Sequence, residues 1–116
     1  MSLSEFKHSK QENGPLTKRW FSDIGLDVVA WQDQAGEPTR FEVTWEESGR
    51  KFLWVWELGR DGQFFELDEG DHDPRKNLSP VTGKGFEGDY PQLLAKIEAN
   101  SGELPFEFLE VFRMLA

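Results

Sequence analysis

Between Thr39 and Glu47 the chain reads TRFEVTWEE, and this alternation leaves little choice of conformation. Phe41, Val43 and Trp45 fall on one side of an extended backbone, and Arg40, Glu42, Thr44 and Glu46 fall on the other. That period of two belongs to a half-buried strand. Turn chemistry brackets it: Gln34-Ala35-Gly36 precedes it and Ser48-Gly49 follows, each offering a glycine that can take the left-handed conformation of a short loop.

The neighbouring segments repeat the arrangement. Leu26 to Asp33 reads as a strand, as does KFLWVWEL from Lys51 to Leu58, and after the turn GRDG the segment QFFELDE gives a fourth. Short connections between all four imply an antiparallel meander in sequential order. The tail is different. In GDYPQLLAKIEANSG, Asp89 is placed as an N-cap, Pro91 is tolerated in the first turn, and Tyr90, Leu93, Leu94 and Ile97 share one helical face. A second helix restarts at Pro105 with Phe108, Leu109, Phe112 and Leu115 along one stripe.

The expected architecture is therefore α+β, a four-stranded antiparallel β-meander with two C-terminal helices packed on one face. The expected organisation is a flexible N-terminal arm over residues 1–15 and a single α+β domain over residues 16–116. We expect Phe41, Val43, Leu53, Val55, Phe65 and Leu67 to face the helices. Phe52, Trp54 and Trp56 would then point away and form an apolar patch that needs cover. The candidates are Leu16 to Phe21, the connection from Leu78 to Phe86, or a second subunit in a homodimer, and cover from within the chain is the preferred expectation.

Composition narrows function more than it names it. The 116 residues include 22 acidic and 13 basic side chains, a formal charge of -9, which repels phosphate backbones and anionic headgroups and so disfavours nucleic-acid binding. With no cysteine, disulfides, thiolate metal sites and cysteine nucleophiles are excluded. No apolar run reaches the ~20 residues of a membrane-spanning helix. The N-terminal sequence lacks the apolar centre of an export signal, so no membrane association is expected and the cytoplasm is the default location. Five tryptophans could offer a stacking surface, but four of them sit inside strands where packing needs bulk.

One acidic stretch, FFELDEGDHDPRKNLSP from Phe64 to Pro80, is a candidate for chemistry. Asp68, Asp71, His72 and Asp73 could form a weak carboxylate–histidine binding site of the kind that holds zinc or manganese. A calcium loop is not met, because Arg75 occupies the next alternate ligand position. The structural alternative is a turn built by Asp and Gly, stopped by Pro74, with Arg75 and Lys76 offsetting the acidic charge. GKGFEG is glycine-rich but lacks the Gly-Lys-Ser/Thr ending of a phosphate loop, and no motif indicates a cofactor or a catalytic nucleophile.

The segments KRWFSD, DVVAWQDQAG, Phe41-Glu42-Val43 and DEGDHDPRKNLSPV resemble a group of small uncharacterised proteobacterial proteins. Their similar pattern runs from an Arg-Trp-Phe start, through Trp-x-Asp before a turn, to an acidic segment ending in Asp-Pro, a basic residue and Thr/Ser-Pro. The likeness covers Lys18 to Val81, departs at His72, and implies a bacterial source and a common fold but no activity. The sequence thus leads to a small non-enzymatic interaction module whose partner is left open between another protein and a second copy of the chain. A small metal-dependent or acid/base enzyme centred on Asp68–Asp73 is the alternative.

Overall fold

The computed structural model describes residues 2–5, 11–13, 16–67 and 83–116. Its strands are β1 (Ser4–Glu5), β2 (Gln11–Asn13), β3 (Leu16–Asp23), β4 (Leu26–Gln32), β5 (Pro38–Glu47), β6 (Arg50–Glu57), β7 (Gln63–Leu67) and β8 (Gly83–Phe86), followed by α1 (Tyr90–Ala99) and α2 (Phe106–Met114). All strand pairs are antiparallel, in the order β1-β3-β4-β5-β6-β7-β8, and β2 also pairs with β3. The expected meander is the centre of this sheet, β4 to β7. It is extended on one side by β3 with its two short edge strands, and on the other by β8.

The class is α+β with both helices on one face, but the four-stranded count is corrected. The residues of β3 suggest only cover for a sheet face, because Lys18-Arg19 and Trp20-Phe21 put like residues on both faces and erase the period of two. The strand nevertheless pairs with β4 along its length, from Thr17 opposite Gln32 to Asp23 opposite Leu26. Of the N-terminal residues expected as an arm, the described strand residues lie along β3. Leu3 is fully buried, its N–H donating to the Asn100 carbonyl at 2.8 Å and its carbonyl accepting from the Glu103 N–H at 2.8 Å. Glu5 accepts two hydrogen bonds from the Arg19 guanidinium, at 2.8 and 2.7 Å.

A second correction concerns which face β6 and β7 turn to the helices. Ser48 and Gly49 both have positive φ, 53° and 77°, as a two-residue hairpin loop requires. That loop sets Glu47 opposite Arg50, and therefore Trp45 opposite Phe52, Val43 opposite Trp54 and Phe41 opposite Trp56. Directly opposed residues share a face, so Phe52, Trp54 and Trp56 point to the helices, and Leu53 and Val55 point away. The same holds for β7, where Phe64 lies opposite Trp54, and Phe65 and Leu67 take the far face. The expected apolar patch of Phe52, Trp54 and Trp56 is thus part of the main core, and neither a chain segment nor a second subunit is needed to cover it.

This core is aromatic. Phe41 sits against Phe112 at 4.4 Å between ring centroids, against Phe108 at 5.5 Å and against Trp56 at 5.5 Å. Trp54 meets Tyr90 at 5.1 Å and Phe112 at 5.9 Å. The Asp89 carboxylate accepts from the Gln92 N–H, capping α1 as expected. Leu93 and Ile97 of α1 and Phe108, Leu109 and Phe112 of α2 are buried, whereas Leu115, expected on the same stripe, lies at the exposed end. Tyr90 ties the helices together by donating from its hydroxyl to the Phe112 carbonyl at 2.6 Å. Burial pushes the Tyr90 phenol well above the usual tyrosine range.

Candidate functional site

Three surfaces compete for a functional role, and packing separates them. On the sheet face away from the helices, Trp31 is flanked by the Lys18 ammonium at 5.5 Å and the Arg40 guanidinium at 5.4 Å from its ring centre. Arg40 is itself held by Glu42 at 2.8 Å and Glu57 at 3.4 Å. These groups satisfy one another, and the neighbouring Val29, Val55, Phe65 and Leu67 are half-buried. The outer side of α2 exposes Phe106 and Met114, but two helical turns separate them, with the exposed Glu110 between, so they do not merge into a patch.

The third surface is a cleft of about 130 Å³ on the helix side, where β5 to β8 meet the first turns of α1. Trp45, Phe52, Phe64 and Phe86 form its aromatic wall. Trp45 stacks on Phe52 at 5.7 Å and meets Phe64 edge-on at 6.1 Å, and Phe86 reaches Phe52 at 5.7 Å and Phe64 at 5.5 Å. Phe86 is 41% exposed, so its ring is open to solvent at the cleft. Leu93 closes the floor, and the Lys96 ammonium lies 3.4 Å from the Glu47 carboxylate at the rim.

Local sequence explains the opening. Gly88 lies directly beneath the Phe64 ring, where a Cβ would collide with the ring carbons, so the chain can pass from β8 to the α1 cap only without a side chain there. Asp89 then caps the helix N-terminus, its Oδ1 accepting from the Gln92 N–H. Among the described residues, the cleft therefore offers apolar contact with one ion pair at its edge. Its volume is well under the roughly 300–1,000 Å³ of small-molecule sites, and close to the ~150 Å³ that holds a single benzene ring.

Asp68, Asp71, His72 and Asp73 lie outside the described residues. Among the described residues no three His, Asp or Glu side chains converge as a metal site would need. No described helix is long and apolar enough to cross a membrane. Sequence reasoning misses the cleft because both faces of β6 are apolar, so alternation cannot orient Phe52, and the face expected above leaves Phe64 without a partner. The available signal is the two-residue Ser48-Gly49 loop, which pairs odd-numbered residues of β5 with even-numbered ones of β6. Comparison with protein-family models, with curated proteins and with solved structures finds no match to this chain.

Proposed function

We propose that this protein is a non-enzymatic interaction module that holds one apolar side chain of a protein partner in the cleft of Trp45, Phe52, Phe64 and Phe86. The observation that carries the reading is the combination of size and lining: about 130 Å³ walled by four aromatic rings, one of them 41% exposed. That space is smaller than the usual small-molecule site and matches a single phenyl or isobutyl group. Aromatic walls favour such a guest through area burial and edge-to-face contact. The acidic balance of the chain suits a protein partner better than a nucleic acid.

The test is a nuclear magnetic resonance titration of the 15N-labelled full chain with N-acetyl-phenylalanine amide and N-acetyl-leucine amide. Shift changes should centre on Gly88, Lys96, Phe86 and the Trp45 indole, and Gln92→Trp, which sets an indole at the mouth, should suppress them. No saturable shifts, or shifts centred on Trp31 and Val55 of the far face, would overturn the reading.

A further inference from the structure

The two edges of the sheet are treated differently. β3 has its outer side covered by β1 and β2, but no described strand lies beyond β8. Alternate residues of an antiparallel edge strand direct their N–H and C=O groups outward, a ready template for another strand. The exposed Phe86 ring of the aromatic cleft belongs to this same four-residue strand.

The charges on the helix side of the sheet also stop at β8 in an incomplete pattern. Glu47 lies opposite Arg50, Arg50 reaches Glu66 at 3.4 Å, and Glu66 lies opposite Lys84. The sign alternates across β5, β6, β7 and β8 and ends on an exposed cation that makes no ion pair among the described residues. Lys84 and Phe86 are two residues apart and so share a face. Between them Gly85 puts no side chain on the opposite face, leaving a neighbour room for a large residue there.

We propose that β8 receives an extended segment of a partner protein as an additional antiparallel strand, with a large apolar residue opposite Phe86 and an acidic residue opposite Lys84. Antiparallel pairing fixes the order. The incoming strand reads, from N to C terminus, large apolar, any residue, then Asp or Glu. The apolar side chain closes on Phe86 at the mouth of the cleft, the acidic one extends the alternating charges, and main-chain hydrogen bonds to β8 supply the rest of the affinity. This rests on the reading of the cleft as an anchor site and adds the partner's conformation and chemistry to it.

The experiment is selection of a displayed random octapeptide library on the full chain, followed by titration of the best binder by fluorescence anisotropy. Enriched sequences should share the apolar-x-acidic spacing. Lys84→Glu should weaken the binder at least tenfold, and exchanging the peptide's acidic residue for lysine should recover most of the loss on that variant. Phe86→Ala should also weaken it, with an unchanged circular dichroism spectrum showing that the fold survives. Binding that depends on Phe86 but is indifferent to Lys84 and to the peptide's acidic residue would overturn strand addition and leave the cleft reading standing. Binding indifferent to Phe86 would overturn both, as would the absence of enrichment. Sedimentation showing a dimer that Lys84→Glu disrupts would assign the edge to a second copy of the chain and refute the proposal.

Discussion

Replacing Trp54 by alanine tests the face assignment on which both the core and the cleft depend. Trp54 is 2% exposed, packed against Tyr90 and Phe112, with Gly62 so close beneath the indole that a Cβ there would overlap it. A buried indole removes on the order of 150–250 Å² from water, which at ~25 cal/mol per Å² is about 4–6 kcal/mol. Alanine keeps part of that area, and the cavity it leaves adds a cost, so the expected loss is about 3–5 kcal/mol. Against a total stability of about 5–15 kcal/mol for a domain, the variant should fold but melt about 12–20 °C lower, at about 4 °C per kcal/mol. Its neighbour Val55 points to the far face and is half-buried, so Val55→Ala should cost about 1 kcal/mol. Urea unfolding followed by far-ultraviolet circular dichroism gives both numbers without relying on tryptophan fluorescence. If Trp54→Ala costs less than Val55→Ala, the strand is turned the other way and the register argument fails.

Three further outcomes rest on particular contacts. Gly102→Ala should destabilise by about 1–3 kcal/mol in the same urea assay, because φ is 45° and a Cβ would collide with the Leu3 backbone. Leu3→Ala should cost about 2–4 kcal/mol, since Leu3 is fully buried, and a cost near zero would show that the N-terminal residues are not part of the core. The raised Tyr90 phenol gives an alkaline dependence. Its folded-state value lies above the unfolded one, so the contribution is complete below about pH 10 and is lost as pH rises beyond it, when only the unfolded state ionises. Tyr90→Phe should remove that limb of the stability–pH curve while costing about 1 kcal/mol at neutral pH for the lost bond to Phe112.

The legible and illegible parts of this fold divide along physical lines. β5 and α1 can be read directly, because Phe41-x-Val43-x-Trp45 has one apolar side and Asp89 is followed by a helical face that it caps. β6 cannot be oriented from its own residues, since Phe52, Trp54 and Trp56 alternate with Leu53 and Val55 and either face would serve as core. The information lies in the Ser48-Gly49 loop and needs only counting across it. β3 and β8 are hidden for different reasons: β3 because its aromatic and basic residues come in adjacent pairs, β8 because glycine disfavours strands and GKGF becomes one only by pairing with β7. The cleft inherits these ambiguities, being assembled from β5, β6, β7, β8 and α1 at once. The acidic residues Asp68 to Asp73 stand out for their composition, and composition carries no geometry.

The most direct test of the account is amide hydrogen exchange on the full chain with and without the selected octapeptide. Strand addition at the cleft predicts new protection at alternate amides within Gly83 to Phe86 and at Gly88, with the amides of Trp31 and Val55 unchanged. Protection appearing on the far face of the sheet, or along β3 instead of β8, would contradict it.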